Sequence, residues 1–98
     1  GLDIAAPGGT PIKAAASGKV IFSGYQGSYG NLVKIDSGNG VVVYYGHCSK
    51  LYVNVGEKVE AGDVIAEVGS KGKSKGNHLT FEIQLNGQCV NPQNYLYK

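Results

Sequence analysis

His78-Leu79-Thr80-Phe81-Glu82-Ile83-Gln84-Leu85 is a stretch in which polar and apolar residues alternate without a break. Its apolar residues are Leu79, Phe81, Ile83 and Leu85, and its polar residues are His78, Thr80, Glu82 and Gln84. Because successive side chains of a strand point to opposite faces of the sheet, this period of two predicts a strand with one face in the core. The polar face is predicted to line a groove that is open to water.

The rest of the chain also favours strands. Its short apolar runs are separated by glycines at the spacing typical of an all-β sandwich or barrel. We predict strands over Gly18–Tyr25, Asn31–Asp36 and Val41–Gly46, the last two joined by a turn whose Asn39-Gly40 pair is a strong hairpin signal. The predicted fold is therefore all-β, an antiparallel sheet folded into a partly open sandwich or barrel with a peptide-binding groove.

A strand–turn–strand unit is indicated further along by the glycines and valines of Val55–Gly69. This unit resembles one in lipoyl and biotinyl carrier domains, which present a modifiable lysine at an exposed hairpin tip. Lys71, Lys73 and Lys75 instead occur in a longer Gly/Ser-rich stretch without a flanking methionine. A carrier function is therefore disfavoured.

Size and charge limit the class of protein. The 98 residues form one domain, 1–98, and only 16% of them are charged, with a net charge of +2. Nucleic-acid binding would require a clustered basic face, so we expect no such partner. The longest apolar run, Val41–Tyr45, is far shorter than the ~20 residues of a membrane span, and we expect no membrane contact from this domain. Because Gly1 is not a start methionine, an export signal or anchor could lie outside this chain.

The two cysteines, Cys48 and Cys89, leave two arrangements open. A disulfide between them would close a loop of about 40 residues and contribute about 4 kcal/mol in the chain-entropy model. Two unpaired thiols are equally ordinary. Cys48 also follows His47, which suggests a thiol nucleophile, but adjacent side chains of a strand face opposite ways, and this favours a structural or disulfide role.

Three stretches, taken together in this order, resemble the LytM/lysostaphin-type peptidoglycan metallopeptidases, which have the duplicated hybrid motif fold. The stretches are Gly1–Pro7, Tyr45-Gly46-His47 and Asn77–Ile83. Four further segments also match the family's usual shape, so the resemblance covers essentially the whole chain. These segments are Gly30–Ile35, Ser37–Gly40, Gly56–Val68, and Asn91-Pro92 followed by Tyr95-Leu96.

The resemblance implies roles for four residues. In the family, zinc is held by a histidine, an aspartate four residues later and the second histidine of a His-x-His strand. Asp3 corresponds to the metal aspartate, and His47 and His78 correspond to the two catalytic histidines that polarise water and stabilise the oxyanion. The first ligand would lie two positions before Gly1, and the last ligand falls on Thr80. Two further residues, Tyr45 and Glu82, are expected to line the peptide groove.

Threonine is a poor substitute at a metal position, because its hydroxyl is neutral at physiological pH and shorter than an imidazole. A hydrolytic zinc site needs three protein ligands and an open position for water. We therefore expect no bound cofactor, and a catalytically degenerate domain that binds a cell-envelope protein partner or a peptidoglycan peptide outside the cytoplasm of a bacterium.

The alternative function is an active zinc endopeptidase that cleaves peptidoglycan cross-bridges or stem peptides. It would require zinc, a histidine upstream of Gly1 and a substitute for Thr80. Glu82 and Cys48 are the nearby candidates for that substitute.

Overall fold

The computed structural model describes residues 2–69 and 78–91, and within them the chain is built from nine strands and one short 3₁₀ turn at Gly27–Tyr29. The strands are β1 (Leu2–Ala5), β2 (Pro11–Lys13), β3 (Gly18–Gln26), β4 (Gly30–Gly38), β5 (Val41–Leu51), β6 (Lys58–Val59), β7 (Val64–Val68), β8 (His78–Leu85) and β9 (Gln88–Val90). Within these residues, no helix is long and apolar enough to cross a membrane.

All nine strands belong to one sheet, which branches at β5 and, through its pairing with β9, at β8. The main path runs β1-β8-β5-β4-β3-β6, and β7 attaches to β5 and carries β2. One edge of β5 pairs with β4, and the other pairs first with β8 and then with β7. Every pairing is antiparallel, and the sheet curls around a core without closing into a barrel. The predicted all-β, partly open architecture is confirmed.

The alternation in β8 separates the core from the groove face. Leu79, Phe81 and Ile83 are at most 9% exposed and belong to the core cluster. Phe81 packs edge-on against Tyr45, with 5.5 Å between ring centroids. The Tyr45 hydroxyl accepts a hydrogen bond of 3.0 Å from the Ala15 amide, so its polar end is satisfied inside the core.

Several predicted segments agree with the structure. β8 has the predicted bounds, and the predicted strands β3, β4 and β5 each continue further than expected. Asn39 and Gly40 both have positive φ, +54° and +79°, as the Asn-Gly hairpin signal requires. The lysine-rich stretch 71–75 and the tail 92–98 lie outside the described residues.

The cysteines are both free thiols, so the structure has the unpaired arrangement of the two that the sequence leaves open. Cys48 is 1% exposed in the core and Cys89 is exposed on β9. Burial raises the pKa of Cys48 to about 12. A thiol that is protonated at neutral pH and closed off from solvent is neither a nucleophile nor a metal ligand.

Candidate functional site

The site is shaped by a β-bulge in β5. Val33 of β4 pairs with Tyr45, and Asn31 pairs with Cys48, so two residues of β5 lie opposite Leu32 alone. The extra residue is His47, which has a left-handed φ of +60°. A bulge interrupts the alternation of faces, and this is why Tyr45 and Cys48 both point into the core.

The bulge brings the two histidines together. The His47 and His78 rings lie 4.7 Å apart, centroid to centroid, although they come from β5 and β8. Gly69 connects their backbones, since its amide donates to the His47 carbonyl at 3.0 Å and its carbonyl accepts from the His78 amide at 3.3 Å. The two histidines to which the family resemblance gives catalytic roles are therefore neighbours in the structure.

His47 favours its neutral form. Burial lowers the pKa of His47, and the nearby His78 lowers it further, while Asp3 opposes both effects. Its Nδ1 atom is buried and has no hydrogen-bond partner. An uncharged imidazole keeps one nitrogen that can accept a proton or a hydrogen bond.

Asp3 and Thr80 face each other across the β1–β8 ladder. The Thr80 hydroxyl donates a hydrogen bond of 2.9 Å to Oδ1 of Asp3. The two side chains that the family resemblance assigns to metal positions are thus bonded to each other. Among residues 2–69 and 78–91, no three His, Cys, Asp or Glu side chains form a group that could hold a metal ion. The described residues do not fit a three-ligand zinc site.

Glu82 lies on the groove face but is only 6% exposed. Its carboxylate accepts hydrogen bonds from Tyr29 (2.7 Å), Gln84 (2.7 Å) and Cys89 (3.1 Å). Burial raises the pKa of Glu82, but the three hydrogen bonds outweigh it and leave that pKa below its ordinary value. Among the described residues, Glu82 forms no metal-holding group with Asp3, so it does not replace Thr80 as a ligand.

The groove-lining position predicted for Tyr45 is wrong. Tyr45 lies opposite Phe81 on the core face and is 1% exposed, whereas Tyr44 lies opposite Glu82 on the groove face. In a regular strand, Tyr45 and His47 would lie on the same face of the sheet, but the bulge at His47 shifts the register by one residue. Tyr29 is a second groove residue that the sequence did not suggest, and its ring centroid lies 5.5 Å from that of Tyr44.

An open antiparallel sheet that carries a pair of histidines on its polar face is the arrangement expected of a peptidase-like domain. Residues 1–92 match the model of Peptidase family M23, and the chain belongs to that family. The resemblance inferred from the sequence is confirmed.

Relatives of known name include both enzymes and an activator. The chain is 49% identical over 92 residues to the DD-carboxypeptidase/endopeptidase Mpg of Neisseria meningitidis, covering 94% of this chain and 21% of that protein. It is 43% identical over 96 residues to the murein hydrolase activator EnvC of Escherichia coli, covering 98% of this chain and 23% of that protein. The chain therefore spans about a fifth of the length of these relatives.

Solved structures agree with the family. The catalytic domain of lysostaphin from Staphylococcus simulans superposes with a TM-score of 0.92 at 34% identity, covering all of this chain and 78% of that one.

Proposed function

We propose that this domain is a catalytically degenerate M23 domain of a bacterial cell-envelope protein, and that it binds an extended peptide in its groove and regulates other envelope machinery. The observation that carries this proposal is the hydrogen bond of 2.9 Å from Thr80 to Asp3. It joins a side chain that cannot replace imidazole to the one family ligand among the described residues. Without three ligands the domain has no activated water for hydrolysis.

Relatives support a regulatory role and an envelope location. One is a murein hydrolase activator by name, and another is a lipoprotein NlpD/LppB homolog of Pseudomonas aeruginosa, 43% identical over 98 residues. The ligand would be a peptide of peptidoglycan or a segment of an envelope protein. His47 and His78 would serve there as polar groups of the groove and not as catalysts.

An active zinc endopeptidase is the second candidate, and two observations favour it. The His47–His78 pair is intact, and two relatives, 49% and 40% identical, are by name a DD-carboxypeptidase/endopeptidase and a peptidoglycan DD-endopeptidase. This function requires a ligand from outside the described residues together with a replacement for the Thr80 position.

Zinc content separates the two functions. We expect the purified full-length protein to carry less than about one-tenth of an equivalent of zinc after exposure to the metal, because two ligands hold zinc weakly. The variant Thr80→His, in a protein that has the upstream histidine, should gain zinc. Thr80→Val is the matched control, since it removes the hydroxyl without adding an imidazole, and it should gain none.

A stoichiometric, chelator-removable zinc ion in the unmodified protein would contradict the degenerate site. Release of peptides from purified cell walls by the unmodified protein, at the rate of Thr80→His, would do so independently.

A further inference from the structure

A row of side chains crosses the groove face beside the Thr80 position. Each member lies directly opposite the next on the neighbouring strand, from β3 through β4 and β5 to β8, so all of them share one face of the sheet. We call this the Lys34 row, and its members are Phe22, Lys34, Tyr44 and Glu82. It is two residues, or about 7 Å, from the Thr80 position along the strands.

The Lys34 ammonium group is held between two aromatic rings. Its Nζ lies 5.4 Å from the ring centroid of Phe22 and 4.9 Å from that of Tyr44. Cation–π attraction at these distances restrains a side chain that would otherwise move freely. Lys34 is half-buried, so part of the residue remains exposed to solvent.

No acidic side chain neutralises this charge within residues 2–69 and 78–91. Lys34 contacts rings there and pairs with no carboxylate. Glu82, at the end of the row, already accepts hydrogen bonds from three donors. One of these donors is Tyr29, whose ring is tilted against that of Tyr44. The groove floor therefore presents a fixed positive charge without a negative partner.

We propose that Lys34 is a subsite for a carboxylate of a peptidoglycan peptide that lies extended along the groove. This rests on the proposed function, in which the groove receives such a peptide. The ammonium is restrained before the ligand arrives, so pairing costs less side-chain entropy than it would for a free surface lysine. The rings of Tyr44 and Phe22 beside it are apolar, which reduces competition from water.

Co-sedimentation with purified sacculi tests the subsite. The probes are native sacculi and sacculi whose carboxylates have been converted to amides with carbodiimide and ammonium chloride. The full-length protein should bind native sacculi more tightly than amidated sacculi by roughly threefold to tenfold, the range for one partly shielded charge pair. Lys34→Met keeps the apolar stem between the rings, and it should bind both preparations equally.

Two variants control for charge and for folding. Lys19→Met removes one positive charge from an exposed position on the same strand pair, and it should discriminate as the unmodified protein does. Lys34→Arg keeps both charge and cation–π contact and should also discriminate. Unfolding midpoints of all three variants should match that of the unmodified protein within the error of the measurement.

Each outcome decides a different point. If the protein sediments with both preparations equally, or if Lys34→Met still discriminates, the subsite is wrong and peptidoglycan binding stands. If the unmodified protein sediments with neither, the peptidoglycan ligand and the subsite are both wrong, and an envelope-protein partner is left as the proposed ligand.

Discussion

Three donors converge on the carboxylate of Glu82, and each comes from a different part of the chain. Tyr29 lies in the 3₁₀ turn, Gln84 lies two residues further along β8, and Cys89 lies on β9. A buried carboxylate keeps its charge only when donors replace the water it has lost. Glu82 therefore ties the 3₁₀ turn and β9 to β8.

Replacing Glu82 by Gln should destabilise the protein by about 1–3 kcal/mol. An NH₂ group then replaces one carboxylate oxygen, so a hydrogen-bond donor faces another donor where the carboxylate offered an acceptor. Chemical denaturation measures this loss. Glu60→Gln changes the same groups at an exposed position and should cost less than about 0.5 kcal/mol. Equal effects of the two substitutions would show that the hydrogen bonds to Glu82 contribute little.

The ionisation of Tyr29 should change in the same variant. The hydrogen bond to Glu82, followed by burial, raises the pKa of Tyr29 to about 12. Glu82→Gln removes the negative acceptor, so the pKa of Tyr29 should fall towards its ordinary value near 10. The Cζ carbon shift of Tyr29, assigned with Tyr29→Phe, follows this titration by NMR. An unchanged titration would mean that the phenol is not bonded to Glu82 in solution.

Strands β5, β7 and β8 meet at Gly69, which follows β7. Its amide and carbonyl bond to His47 and His78, so this junction sets the spacing of the histidine pair. A Cβ atom on Gly69 would lie 2.6 Å from the Ser49 nitrogen and 2.9 Å from the Cys48 carbonyl carbon. Both are backbone atoms, which cannot rotate away as a side chain would.

Gly69→Ala should therefore lower the free energy of unfolding by about 1–3 kcal/mol, as overpacking does. Urea denaturation measures this loss, and the slope of the unfolding free energy against urea concentration should stay unchanged. Gly24→Ala is a matched control within β3, because its Cβ would meet only the Phe22 ring at 3.8 Å, an ordinary contact. We expect that variant to be neutral or slightly stabilised. If Gly69→Ala leaves the free energy of unfolding unchanged, the strands at this junction can move apart at no cost in stability.

Across the whole chain, the sequence predicts best where one local signal decides the structure. His78–Leu85 alternates without a break, and Asn39-Gly40 specifies its hairpin, so both were predictable. A second Asn-Gly pair, Asn86-Gly87, has positive φ at both residues and joins β8 to β9. The same signal would have found β9, which is not among the strands predicted above.

Features that depend on pairing between distant strands were less predictable. The bulge at His47 reverses the faces of the residues that follow it, and a period of two does not reveal an extra residue. The Lys34 row needs the registers of three strand pairs at once. Asp3 likewise lies opposite Thr80 because β1 pairs with the distant β8, and the metal roles that the family resemblance gives these two residues stay a prediction.

The core encloses two weakly acidic side chains, Cys48 and Tyr45. Their burial makes the stability of the whole fold decrease at high pH. Burial raises the pKa of each of them to about 12 in the folded protein. The unfolded chain loses these protons at its ordinary values, near 9 for the thiol and near 10 for the phenol. The stabilisation is complete below the unfolded pKa and is lost as the pH rises towards the folded pKa.

Stability should accordingly fall above pH 9, with each group contributing a slope of up to about 1.4 kcal/mol per pH unit. Cys48→Ala removes the group that titrates first, so the difference in unfolding free energy between this variant and the unmodified protein should narrow by about 1 kcal/mol between pH 9 and 10. Urea denaturation across pH 7–11 in the presence of a reductant measures it. A difference that stays constant over this range would mean that the Cys48 thiol reaches solvent in the folded protein, contrary to its place in the core.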